Sequence, residues 1–176
     1  VSSGVVLDLA GLVGIDGTST DTLLNFENAN GTGFNDAISG TTAANVLKLK
    51  VDDMRAAGLS ARKIEYLVDL SLHFDSGAIE AKSWVGKDDD DIISELVAIR
   101  GIGRWTAEMF LIFHLMRPNV LPLDDVGLIN GISQNYFSGE PVSRSDAREV
   151  AQAWAPFCSA ATWYIWRSLD PLPVGY

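Results

Sequence analysis

Gly101-Ile102-Gly103 separates two apolar helical runs, and no other stretch limits the fold as tightly. Before it, Ile92, Ile93, Leu96, Val97 and Ile99 recur at helical spacing; after it the pattern resumes at Trp105, Met109, Ile112, Phe113 and Met116. The spacing predicts helix, tight turn, helix. Two glycines around one apolar residue permit a positive φ and let the backbone come close to a ligand, because no Cβ intervenes. The second helix starts at once, so its free N–H groups face out of the turn and suit an anion such as phosphate.

That second run ends at Pro118, and Pro122 keeps the connection short before Asp124 and Asp125 open a further apolar run through Val126, Leu128, Ile129 and Ile132. Two acids therefore stand at a helix start. The plain explanation is N-capping, since Asp is a favoured cap and negative charge near a helix N-terminus is worth roughly 0.3–1 kcal/mol.

Elsewhere the pattern is uneven. Residues 1–45 scatter glycines among Ser, Thr and Asn; VVLDLAGLVGI has no clear period and reads as a packed helix or an irregular arm. From Val51 the reading firms up: Asp52 and Asp53 in a first turn, Gly58 as a stop, then Ser60 capping a helix with Ile64, Leu67, Val68 and Leu72 on one face. Arg62 and Lys63 read as a solvated face. His73 and His114 lack a second ligand at metal-site spacing and read as structural or surface residues. Asp88 to Asp91 lack the alternating spacing of a calcium loop and fit a charged helix N-terminus. SRSDAREVAQAW reads as a helix capped by Ser143 or Ser145, and Pro156 opens a last helix with Phe157, Ala160, Ala161, Tyr164, Ile165 and Ser168 on its inner face. Trp154, Trp163 and Trp166 read mostly as core.

A chain of 176 residues, 47% hydrophobic, can bury a core as one unit or two small lobes. No run reaches the ~18–20 apolar residues of a membrane helix, and no leader pattern opens the chain, so the reading is a soluble intracellular protein with no membrane partner. One cysteine, Cys158, excludes an internal disulfide. The net charge of −10 opposes nucleic-acid binding, which draws on Lys and Arg to neutralise phosphates. The acids are unevenly spread, however. Residues 1–57 hold Asp8, Asp16, Asp21, Glu27, Asp36, Asp52 and Asp53 against Lys48, Lys50 and Arg55, whereas Arg100 and Arg104 flank the glycine turn.

LVAIRGIGRWTAEMFLIF followed by LPLDD, with AAGLSARKIEYL before and WAPFCSAATWYIWRSLDP after, resembles the helix-hairpin-helix DNA glycosylase superfamily and, within it, the 3-methyladenine DNA glycosylase II group. The resemblance runs from about Val46 to Tyr176. It implies an all-α fold of helical bundle lobes with the active-site cleft between them. The chain then divides into a divergent segment 1–45, a helical core with the hairpin at 46–122, and a catalytic-Asp helix with aromatic closing helices at 123–176. The lone cysteine rules out the four-cysteine iron–sulfur cluster of the endonuclease III and adenine-glycosylase branches.

The resemblance further implies a monomeric base-excision enzyme acting on double-stranded DNA with alkylated bases, without a cofactor. Asp125, the second acid of the PxDD block, matches the catalytic aspartate, leaving Asp124 as cap or support. Trp105, Met109 and Phe157 match the base pocket, and Arg100, Gly101, Ile102, Gly103, Arg104 and Thr106 the DNA contacts. Backbone carbonyls of Val97, Ile99 and Ile102 match a monovalent-cation site, with no side-chain metal site. Bifunctional members carry a Schiff-base lysine where Trp105 stands, so the resemblance implies a glycosylase without lyase activity. Two departures stand out. The glutamine-rich segment usual at the entry to the core is absent, Ala37 to Leu47 being the nearest candidate, and Cys158 stands where the group usually has an arginine near the pocket mouth. The missing segment, together with the acidity of the chain, favours the alternative of a non-catalytic helix-hairpin-helix DNA-binding module or inactive paralogue, while the change at Cys158 bears on DNA grip or base selection.

The implied chemistry suits these residue types. A base must leave the stack before its glycosidic bond is reachable. Alkylated purines such as 3-methyladenine and 7-methylguanine are cationic, so aromatic faces favour them by ~0.5–2 kcal/mol. One carboxylate then suffices to stabilise the oxocarbenium-like sugar and assist water.

Overall fold

The computed structural model describes residues 42–169 and, ahead of them, a two-residue antiparallel pair, Val6–Leu7 with Phe26–Glu27. Most of the 1–45 segment, the first part of Ala37 to Leu47 and the chain beyond Leu169 lie outside the described residues. The fold is all-α, with eight α-helices among the described residues. Two compact units divide the chain, residues 1–103 and 104–176, and the boundary follows the second glycine of the turn.

The first unit holds α1 (Ala43–Val46), α2 (Val51–Ala56), α3 (Ala61–Asp75) and α4 (Asp89–Val97). Ser60 caps α3 as expected, its hydroxyl accepting from Lys63 N at 3.3 Å. Met54, Leu59, Ile64 and Leu67 form a buried cluster, with Val68 against it. Leu72 does not join them: α3 buries Ser71 instead, and Leu72 is half exposed. At about 100° per residue, position 71 lies some 20° from Ile64 around the helix and position 72 some 80°, so geometry favours the smaller polar residue. Asp89, Asp90 and Asp91 fill the first turn of α4, where the helix dipole favours them. Trp84, only 2% exposed, donates its indole N–H to Glu95 Oε2 at 2.8 Å, while Lys87 Nζ contacts Glu95 Oε1 at 2.5 Å.

The second unit holds α5 (Arg104–Phe113), α6 (Val126–Tyr136), α7 (Arg144–Ala151) and α8 (Cys158–Ser168). Helix α5 stops short of the apolar pattern that runs on to Met116. Arg117 N reaches back to Leu111 O at 2.9 Å across Met116, whose φ of 53° takes the left-handed role usually given to glycine at a helix end. Ser143 closes a capping box with Asp146 at the head of α7. Leu128, Ile132, Ala147 and Ile165 make the core of this unit.

Helix α8 corrects the expected inner face. Cys158, Ser159, Thr162 and Ile165 are buried, whereas Phe157 and Tyr164 are 63% and 69% exposed. For Ser159 an apolar ranking misses the burial because a satisfied hydroxyl buries cheaply: its Oγ donates to Arg117 O at 2.6 Å and accepts from Val120 N at 3.0 Å. The tryptophans depart from expectation too. Trp163 is exposed, and Trp154 and Trp166 are half buried.

Candidate active site

The hairpin closes the first unit. Gly101 takes a φ of 94°, and a Cβ there would stand 2.6 Å from the Tyr66 ring, so both conformation and packing require glycine. Ile102 is buried and donates its N–H to Ile99 O at 3.1 Å, tightening the turn. Beside Gly103 the space is open for 4 Å. Asp69 Oδ2 accepts from Arg100 N at 2.7 Å, tying the turn to α3, and the Arg100 guanidinium pairs with Glu65 at 3.0 Å. Arg104 opens α5 and is likewise engaged, its Nε donating to Glu108 Oε1 at 3.0 Å. Both flanking arginines thus have acidic partners within the fold.

In the second unit the acids separate by role. Asp125 is the N-cap of α6: its Oδ1 accepts from Leu128 N at 2.6 Å. The same oxygen accepts from Trp166 Nε1 at 2.7 Å, and Oδ2 accepts from Trp105 Nε1 at 2.8 Å. One half-buried carboxylate is therefore clasped by two indoles and a helix amide. Asp124, expected as cap or support, does not cap α6 and pairs with Arg144 Nη2 at 2.5 Å. Arg144 opens α7 and also reaches Leu123 O at 3.4 Å. It draws the first acid outward and leaves the second to cap.

Two glycines on one face of α6 make this clasp possible. A Cβ at Gly131 would lie 2.3 Å from Ile165 Cγ2, so α8 packs directly on the α6 backbone there. One turn earlier, a Cβ at Gly127 would lie 3.1 Å from Asp125 Oδ1 and 3.2 Å from the Trp166 ring. Phe113 stacks on Trp166 with centroids 6.0 Å apart and 18° between planes. Sequence reasoning missed Trp166 as a functional residue. The Gly127-x-x-x-Gly131 spacing was the available signal for a close helix contact.

Of the remaining candidates, Trp105 is 47% exposed, Met109 lies half buried one turn on along α5, and Thr106 is half buried. Phe157 stands exposed at the N-cap of α8. Cys158 is buried with its thiol toward Ala151 O at 3.8 Å, and burial raises its pKa. His73 contacts Asp69 O at 2.8 Å and His114 stacks on Phe110 at 4.8 Å, both structural roles. Arg144, Asp124, Leu123, Val126, Ile129 and Val142 line an open depression of about 250 Å³ on the second unit.

No family model matches the chain. It is similar to DNA-3-methyladenine glycosylase 1 of Schizosaccharomyces pombe, 35% identical over 128 residues, covering 72% of this chain and 56% of that protein. Among solved structures it is similar to a DNA-3-methyladenine glycosidase from Bacillus halodurans, with a TM-score of 0.71 and 34% identity, over 76% of this chain and 62% of that one. It is also similar to the Schizosaccharomyces pombe 3-methyladenine DNA glycosylase in complex with abasic DNA, with a TM-score of 0.64 and 34% identity, over 74% and 64% of the two chains. The chain spans about half the length of the curated relatives it matches.

Proposed function

The chain belongs to the helix-hairpin-helix DNA glycosylase superfamily, and on that footing we propose that it hydrolyses the N-glycosidic bond of alkylated purines, of the 3-methyladenine and 7-methylguanine type, in duplex DNA. The observation that carries this reading is the Asp125 carboxylate clasped between Trp105 and Trp166 at the head of α6. A protein that only binds DNA needs the glycine turn and can use Asp125 as the cap of α6, but capping alone calls for neither indole on the carboxylate.

In this reading the flipped, cationic base stacks on Trp105, with Met109 and Phe157 as further walls. As the glycosidic bond breaks, its electron pair passes to the base and neutralises it. Positive charge develops at C1′ of the sugar, where Asp125 stabilises it. Water adds through its oxygen to C1′ and gives its proton to the same carboxylate. Trp105 offers no amine for a Schiff base, so the enzyme is monofunctional.

DNA is held chiefly by main-chain N–H groups of Gly101, Gly103, Arg104 and Thr106, with Ile102 shaping the turn through its own N–H to Ile99 O, because Arg100 and Arg104 are already paired with acids. Carbonyls of Val97, Ile99 and Ile102 would hold a monovalent cation that adds positive charge toward a phosphate. Ile99 O, bonded once to Ile102 N, retains a lone pair for it. The catalytic unit is a monomer that acts where DNA is stored.

The test is release of free methylated bases from alkylated duplex DNA at low salt, comparing the protein with Asp125→Asn. Release that falls by about a hundredfold or more in the variant supports the glycosylase. Absence of release from both, with duplex binding retained, gives the non-catalytic module instead.

A further inference from the structure

We propose that Trp166 is a positioning residue that immobilises Asp125 Oδ1, so that Oδ2 is the oxygen presented to the reacting sugar; this rests on the glycosylase reading above. The two oxygens differ in kind. Oδ1 accepts from Leu128 N at 2.6 Å and from Trp166 Nε1 at 2.7 Å, which engages both of its lone pairs. Its donors belong to α6 and α8, which meet through the close approach of Gly131 to Ile165. The Trp166 ring is hemmed in by Gly127 on one side and stacked by Phe113. Oδ2 accepts one bond, from the exposed Trp105 at 2.8 Å, and keeps a lone pair open. Rotation of Trp105 onto a flipped base frees Oδ2 further, while Oδ1 stays fixed. Trp166 therefore sets the direction in which the carboxylate acts.

Trp166→Phe keeps a ring against Phe113 and Gly127 but removes the N–H. Three quantities are compared with the native protein: the single-turnover rate of methylated-base release at saturating enzyme, the affinity for abasic-site duplex, and the melting midpoint. The expected result is a rate lowered on the order of tenfold to a hundredfold, the worth of one hydrogen bond to a charged group, with affinity unchanged and the midpoint lowered only by the few degrees that losing one such bond brings. A native rate in Trp166→Phe, while Asp125→Asn is inactive, overturns the positioning role and leaves the glycosylase intact. Loss of rate, affinity and midpoint together overturns it in favour of a merely structural role. No release from the native protein overturns the glycosylase reading itself. Indole ¹⁵N–¹H spectra test the clasp without relying on the variant's folding. Asp125→Asn should shift the Trp105 and Trp166 signals and leave those of Trp84 and Trp154 in place, and an unmoved Trp166 signal overturns the proposal.

Discussion

Gly131 meets Ile165 with no room for a side chain: a Cβ would stand 2.3 Å from Ile165 Cγ2 and 3.2 Å from the Ile165 carbonyl oxygen. This contact docks α8 on α6, and Trp166, the next residue of α8, reaches Asp125 from there at 2.7 Å. Ile165 is β-branched and stiff, so it cannot swing aside. Gly131→Ala should therefore lower stability by about 1–3 kcal/mol through overpacking. In an unconstrained helix the same change gains about 1 kcal/mol, so a lowered melting midpoint is the expected sign and a raised one contradicts it.

Asp125 serves the fold as well as the site, which predicts an ordering of variants in urea unfolding. Asp125→Ala removes the N-cap of α6 and should cost about 0.5–2 kcal/mol. Asp125→Asn keeps one side-chain oxygen for Leu128 N and should fall between the native protein and the alanine variant. An asparagine variant as unstable as alanine would show that the indole contacts, rather than the cap, carry the stability.

Glu95 gives a pH signature to the first unit. Burial raises its pKa, but the hydrogen bonds from Lys87 and Trp84 and the Lys87 charge outweigh this and hold the carboxyl below its usual range. A lowered acid stabilises the fold above its unfolded pKa, and that contribution is lost as pH falls through the folded one. Lys87→Met should therefore be destabilising at neutral pH, with the difference from native shrinking below about pH 4. Denaturant midpoints measured across this range check it; a difference that persists unchanged into acid contradicts it.

What the sequence made legible is what depends on near neighbours. The turn at Gly101, the Ser60 and Ser143 caps and the acidic start of α4 all follow from residues within a few positions of one another, and the structure has them as expected. The failures are tertiary. Either acid of the pair could cap α6 on local grounds; Arg144 takes Asp124 and decides the matter. The inner face of α8 is set by Ser159 bonding to the 117–120 loop and by the glycines of α6, which an apolar count cannot weigh. Trp166 reads as core for the same reason: its ring does pack, while its N–H finds the carboxylate forty-one residues away. Asp125 and Trp105 stand out through resemblance, and pattern alone leaves the first as a cap.

If Asp125 stabilises positive charge on the sugar, a cationic azasugar abasic analogue in duplex DNA reads that stabilisation directly. Binding should be at least about tenfold tighter than to the same duplex with a neutral abasic analogue, and the difference should vanish in Asp125→Asn. Equal affinity for the two duplexes in the native protein would contradict it.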